Sequence, residues 1–265
     1  MKYTLYLLLS LLFLTSCSSR LVRLNPIDAS AREEGGYRVV KQQNDSLKVV
    51  TSFENTYRRR DAGVWKEYYV FDTEITNTSS RDIDIRPHDF GGIPLDNRKE
   101  QLPLVRNDGT LVFASSRALD PDEELALIPK RMAAAERRLR ANKVLNTVLF
   151  VGLAVAEASN ESNHRQSFRE YAAKRSTTSV GWQALAVKRV ADRQQFANQM
   201  DQLNWERGTF QQETFRQIVL KPGEAMRGKL LIQADRDASF FRFNYPVFTP
   251  AVSFLFEQKL ISPEK

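Results

Sequence analysis

Val70-Phe71-Asp72-Thr73-Glu74-Ile75-Thr76-Asn77-Thr78-Ser79-Ser80-Arg81-Asp82-Ile83-Asp84-Ile85 reads as a strand, a turn and a second strand. Phe71, Thr73 and Ile75 alternate with Val70, Asp72 and Glu74, and Ile83 and Ile85 alternate with Asp82 and Asp84. Successive side chains of a strand point to opposite faces, so such alternation marks strands with one buried face. Asn77-Thr78-Ser79-Ser80 supplies the polar, turn-forming residues between them.

The same texture extends outward from this stretch. From Tyr37 to about Ala114, short strand-like runs are separated by Asp61-Ala62-Gly63, Gly91-Gly92 and Asn107-Asp108-Gly109, each read as a turn. Strand character returns at Phe215. Ile218 and Leu220 lead into the turn Lys221-Pro222-Gly223-Glu224. Met226, Gly228, Leu230 and Ile232 then alternate with Arg227 and Lys229, and Phe241, Phe243, Tyr245, Val252, Phe254 and Phe256 continue the pattern.

Between these blocks the period changes. Asp120-Pro121-Asp122-Glu123-Glu124 is a helix start, with a capping carboxylate, proline at the first position and acids in the first turn. Pro129 is expected to end or kink this piece, with a second helix to about Ala158 and a break at Ser159-Asn160-Glu161-Ser162-Asn163. A short helix is expected over 165–174 and another from Trp182 to Arg207, where Phe196, Met200 and Leu203 mark one face. Helices placed this way form an antiparallel hairpin. The order strands, helices, strands predicts a mainly β chain: an antiparallel β-sandwich with a helical insertion.

A resemblance agrees with that order. Glu74-Ile75-Thr76-Asn77-Thr78-Ser79, followed by Ile83, Ile85 and Asp89-Phe90, resembles the immunoglobulin-like domains of bacterial exported proteins. In those domains the phrase is paired with a turn like Leu220-Lys221-Pro222-Gly223-Glu224 and a strand like Gly228-Lys229-Leu230-Leu231-Ile232. The resemblance implies an immunoglobulin-like β-sandwich over 37–118 and 210–258, interrupted by a helical hairpin over 119–209. It implies a fold and no activity.

The first residues carry an address. Lys2 precedes an apolar run from Leu5 to Leu14, and the run ends in Leu14-Thr15-Ser16-Cys17. A charged start, a short apolar middle and small residues make a secretory signal. With its terminal cysteine, the tetrapeptide resembles the lipobox of bacterial lipoproteins. That resemblance implies a signal peptide over 1–16, a diacylglycerol thioether and an amide-linked chain such as palmitate on Cys17, and a tether over 17–36. Residues 259–265 read as a C-terminal tail. Two acyl chains anchor a protein stably where one binds only marginally. Ser18 follows the cysteine, where an aspartate would suggest inner-membrane retention. The implied location is the cell envelope, at the outer membrane facing the periplasm.

Composition narrows the functions. Cys17 is the only cysteine, so the mature domain has no disulfide, thiol nucleophile or cysteine metal site. The net charge is +7, from 39 basic and 32 acidic residues. An exported address and the lack of any recognition motif argue against nucleic acid. A basic exported domain meets anionic lipid, lipopolysaccharide or an acidic protein more readily.

Catalytic constellations are missing from the pattern. With two histidines and no serine-nucleophile or Gly-rich phosphate motif, nothing meets the requirements for nucleophile, base and stabiliser, and no cofactor is implied. His164 reads as a surface residue. Asp82, Asp84, His88 and Asp89 form the one cluster that suggests metal, as in a metal-dependent hydrolase, against solvated carboxylates on an exposed strand face.

The helical insertion is the better candidate. Lys130, Arg131, Arg137, Arg138, Arg140 and Lys143 stand against one acid, Glu136, and an apolar run from Val144 to Ala156 follows. At 1.5 Å per residue this run covers about 20 Å, against about 30 Å of hydrocarbon. Two readings of it stay open. Either it packs between the sandwich and the other helices, or the basic part faces headgroups or an acidic partner while the apolar part docks. Arg58-Arg59-Arg60 would extend a basic surface, and Trp65, Trp182 and Trp205 read as core or helix-packing residues. The expected function is a non-catalytic interaction or scaffold module of an envelope complex. The alternatives are direct binding of anionic envelope lipid or lipopolysaccharide through 130–143, and the hydrolase.

Overall fold

Fifteen residues, Leu47–Asp61, pair with Val64–Asn77 from Leu47 opposite Asn77 to Asp61 opposite Val64, with one bulge at Glu54. The structure is a computed structural model that describes residues 21–28, 30–61, 64–105, 110–113, 115–162, 167–247 and 250–261. The signal segment, Cys17, Asn107-Asp108-Gly109 and His164 lie outside the described residues.

In chain order the strands are β1 (Leu21–Pro26), β2 (Arg32–Glu34), β3 (Tyr37–Gln43), β4 (Leu47–Asp61), β5 (Val64–Asn77), β6 (Ile83–Ile85) and β7 (Gly91–Leu95). Three two-residue strands follow: β8 (Leu104–Val105), β9 (Leu111–Val112) and β10 (Ser116–Arg117). Two helices come next, α1 (Pro121–Ser162) and α2 (Phe168–Gln212). The chain closes with β11 (Ile218–Leu220), β12 (Ala225–Gln233), β13 (Phe240–Tyr245) and β14 (Val252–Ile261). One five-stranded sheet has the order β1-β14-β13-β7-β10 and a second β12-β5-β4-β3-β2, and the pairs β11-β6 and β8-β9 stand apart. Among the described residues, every pairing between these strands is antiparallel.

The two large sheets share one aromatic core. Phe71 of β5 lies 5.8 Å from Phe241 of β13 and 5.3 Å from Phe256 of β14, and Tyr69 lies 4.7 Å from Phe241, ring centre to ring centre. Phe90 stacks on Tyr245 at 4.3 Å. The chain is mixed rather than mainly β, because it holds helices of 42 and 45 residues as well as the sheets.

Asn77 ties the two β blocks together. Its amide donates to the carbonyls of Arg81 at 2.6 Å and Leu220 at 2.9 Å. Its carbonyl accepts from the Ser79 backbone N–H at 2.9 Å and from the Ser79 hydroxyl at 2.8 Å. On the main chain, Asn77 donates to Glu224 and accepts from Gly223, whose φ of +81° suits a residue without Cβ. The asparagine is fully buried, so losing these partners strands buried carbonyls. Asn77→Ala, and equally Asn77→Asp, which loses both donors, is expected to cost about 3 kcal/mol in urea unfolding. A change within experimental error would show that Asn77 does not hold the β11–β6 pair to the core.

Several expectations need correction. Part of the expected tether is strand: β1 pairs with β14 from Leu21–Ile261 to Pro26–Phe256, and Val22 and Leu24 are buried. The alternation Leu21-Val22-Arg23-Leu24 puts both inward, which outweighs the polar composition around them. The expected tail loses Lys259–Ile261 to β14 for the same reason. Gly91-Gly92 is not a turn. Both residues lie in β7, paired with β13 and β10, where the ring of Phe241 occupies the space that a side chain at position 92 would need.

The helices also run longer than expected. Pro129 lies inside α1 without ending it, since packing on either side, at the buried Ile128 and at Arg131, offsets the one lost backbone bond. The short helix over 165–174 and the helix from Trp182 are one helix. Its weak segment is satisfied locally: the hydroxyls of Thr177 and Thr178 donate to the carbonyls of Ala173 and Lys174. Ser167 starts α2 with a capping box, accepting from Glu170 N–H while its own N–H donates to the Glu170 carboxylate.

The chain divides into two compact units. One holds the strands up to Pro121 and from Thr214 onward, and the other is Asp122–Glu213. In the strand unit, the two segments that lead to the helices are both held on β12. Ala118 bridges Ile232, Thr214 bridges Lys229, and Phe215 N–H donates to the Lys229 carbonyl at 2.9 Å.

Candidate interaction surface on the helical hairpin

Within the second unit, α1 and α2 pair antiparallel along a seam whose character changes along its length. Near the helix ends that join the strands, the seam is apolar. Ile128 and Ala135 of α1, and Leu203 and Phe210 of α2, are buried. Arg131 sits among them, donating to Glu124 of its own helix at 3.0 Å and to Glu206 of the other at 3.4 Å. Both carboxylates are almost wholly buried. A buried acid needs a cation beside it, and a guanidinium has donors enough for two.

Farther along, the seam turns polar. Asn142 and Asn146 donate to the two oxygens of the Asp192 carboxylate at 3.2 and 2.9 Å, and Lys188 donates to it at 2.6 Å. The lysine first, and then Asn146, hold the Asp192 carboxyl below the usual carboxylate range. A polar residue at a seam position selects register and orientation rather than adding stability. Beyond this cluster Phe150 meets Trp182 edge-on at 5.0 Å, with the Arg189 guanidinium over the Phe150 ring at 5.4 Å. The Trp182 ring N–H donates to Glu157 at 3.0 Å, and Gly181 leaves room for the side chain of Leu153.

The polar seam has a direct consequence for the surface. With Asn142 and Asn146 facing α2, the valines on the opposite side of α1 face outward. Val144, Val148, Val151 and Val155 are each more than half exposed, and Leu145, Leu149 and Phe150 are also exposed. Among residues 144–156 only Asn146 is buried. The length expectation changes. By length and composition α1 contains an 18-residue stretch apolar enough to cross a membrane, and 6% of it is buried. The helix opposite matches. Val180, Val187 and Val190 of α2 are all more than half exposed. These valines were not among the expected site residues, although their spacing of seven and three is visible in the sequence.

Five of the six basic candidates lie on the surface: Lys130, Arg137, Arg138, Arg140 and Lys143 are exposed. Arg140 pairs with Glu136 at 3.2 Å, one helical turn away. Arg131 leaves the set, because the buried Glu124 and Glu206 hold it in the seam. The Arg58-Arg59-Arg60 run is split by strand alternation. Arg58 lies over exposed Trp65 at 5.5 Å and Arg60 is exposed, whereas Arg59 is buried over the ring of Tyr68 at 5.0 Å. Trp65 and Trp205 are more than half exposed and are not core residues.

The acidic cluster near β6 is engaged by the protein. Asp84 accepts from the Arg86 side chain at 2.7 and 2.9 Å and from Gln217 at 3.2 Å. These partners, Arg86 first, hold its carboxyl below the usual range. His88 lies 3.6 Å from Asp89. Among the described residues no group of three or more histidine, cysteine, aspartate or glutamate side chains is arranged to hold a metal ion. No protein-family model matches the chain, and no curated protein matches it.

Proposed function

We propose that this chain is a lipid-anchored, non-catalytic scaffold of the bacterial cell envelope: an immunoglobulin-like sandwich carries a helical hairpin that binds another protein. The observation that carries this reading is the inverted middle of α1. Asn142 and Asn146 are turned to α2, while Val144, Val148, Val151 and Val155 are left to solvent. Exposed apolar surface of this extent marks an interaction site. The immunoglobulin-like assignment is supported by the strand-and-turn phrases at 74–79 and 220–224, which Asn77 joins through the Leu220 and Glu224 carbonyls.

The address rests on the lipobox at Cys17. Because β1 begins at Leu21, four residues later, a lipid on Cys17 would hold Leu21 within roughly 14 Å of the bilayer surface. The exposed Arg137, Arg138, Arg140 and Lys143 favour a second reading, with these side chains on anionic headgroups.

Replacing 122–213 in the full chain by a short Gly/Ser linker tests the reading, since both supporting segments are held on β12. The variant is expected to keep its lipid label and cooperative melting but to leave its envelope complex on native gels. A complex of unchanged size would refute the scaffold. If salt releases the hairpin from anionic vesicles and the complex is unaltered, the lipid reading replaces it.

A further inference from the structure

We propose that the hairpin's partner is a second copy of this chain, with the outer face of α1 in one protomer packed on the outer face of α2 in the next. The proposal deepens the scaffold reading, on which it rests, by naming the partner. Two apolar faces carry it. Contacts across the seam set the register: Arg131 lies level with Glu206, Asn146 with Asp192 and Phe150 with Arg189. By the same register Val148 is level with Val190, and Val151 with Val187. The exposed valines of α1 and α2 therefore form patches at one height on the two opposite sides of the hairpin.

That placement discriminates among occupants. A membrane surface is flat and would cover one side only. A membrane crossing would carry Lys188, Arg189 and Asp192 of α2 into hydrocarbon with the apolar part of α1. A neighbouring hairpin in the same orientation covers both patches at once, α1 on α2 and α2 on α1 of the next. This is a head-to-tail contact, which closes into a ring or continues as an array.

Charge supports the same register. Arg137 precedes Val144 by seven residues and so lies on its stripe, exposed. Asp201 is exposed on α2, fourteen residues after Val187 on that stripe, and is level with Arg137. In the proposed contact these two side chains meet across the interface, next to Val148 against Val190 and Val151 against Val187.

The test is thiol cross-linking of the full-length protein in membranes, with the parent chain as background for Cys17. Val151→Cys alone and Val187→Cys alone are expected to give no covalent dimer above that background. The two variants co-expressed are expected to give a dimer, and both substitutions in one chain a ladder. Arg137→Asp is expected to reduce the ladder several-fold, and adding Asp201→Arg to restore it. A dimer from either single variant would overturn the head-to-tail geometry. Adducts only with a different protein would overturn self-association and leave the scaffold reading standing. Monomer alone from the doubly substituted chain would overturn the proposal, and an envelope complex that also survives hairpin replacement would remove the scaffold with it.

Discussion

Gly92→Ala is expected to destabilise the protein by about 3 kcal/mol or more. A Cβ at position 92 would lie 2.0 Å from Cζ and 2.5 Å from Cε2 of Phe241, and 2.8 Å from Cγ2 of Ile232. Phe241 cannot move aside easily, because it packs against Tyr69 and Phe71 of the facing sheet. Overpacking a filled core costs about 1–3 kcal/mol in ordinary cases, and a clash this close belongs at or above the top of that range. Against a total stability of about 5–15 kcal/mol, that is a large share of the margin, and the urea midpoint falls accordingly. The control is Gly152→Ala in α1, where an added Cβ meets nothing within 4 Å. That change is expected to stabilise the hairpin by about 0.5–1 kcal/mol through helix propensity. Urea unfolding of both variants decides the matter. A Gly92→Ala protein as stable as its parent would mean that β7 does not pack against Phe241 as described.

Arg131→Met is expected to open the end of the hairpin next to the strands. It leaves Glu124 and Glu206, both deeply buried, without the guanidinium that joins them. Removing one partner of a buried charged group costs about 3–5 kcal/mol, whereas replacing the whole group by apolar residues is often neutral or stabilising. Glu124→Leu with Arg131→Met and Glu206→Leu is therefore expected to recover the parent's melting behaviour. Helical circular dichroism on heating, with hydrogen exchange in α1 and α2, separates the two outcomes. If the single variant melts like the parent, the buried charges do not hold the helices together there. The experiment also separates stability from binding, because Arg131 is held in the seam and is not part of the outward basic surface.

Much of this architecture is legible in the chain itself. Alternation over 70–85 and 226–232 determined which residues face a core, because strand geometry ties face to position parity whatever the partner strand. Asp120-Pro121-Asp122-Glu123-Glu124 determined where α1 begins, since proline suits the first helical position and acids suit the first turn. The valines at 144, 148, 151 and 155 were visible as apolar, but no local rule says which way an apolar helix face points.

Tertiary structure decided everything that depended on a distant partner. Leu21–Pro26 became a strand because β14 offered an edge, and Gly91-Gly92 became a strand because Phe241 required the space. Arg131 turned inward because Glu206, 75 residues away, is buried opposite it. Asp192 drew Asn142 and Asn146 into the seam and so put the valines of α1 outside. In each case the deciding contact lies far off in sequence, and local propensities carry no information about it.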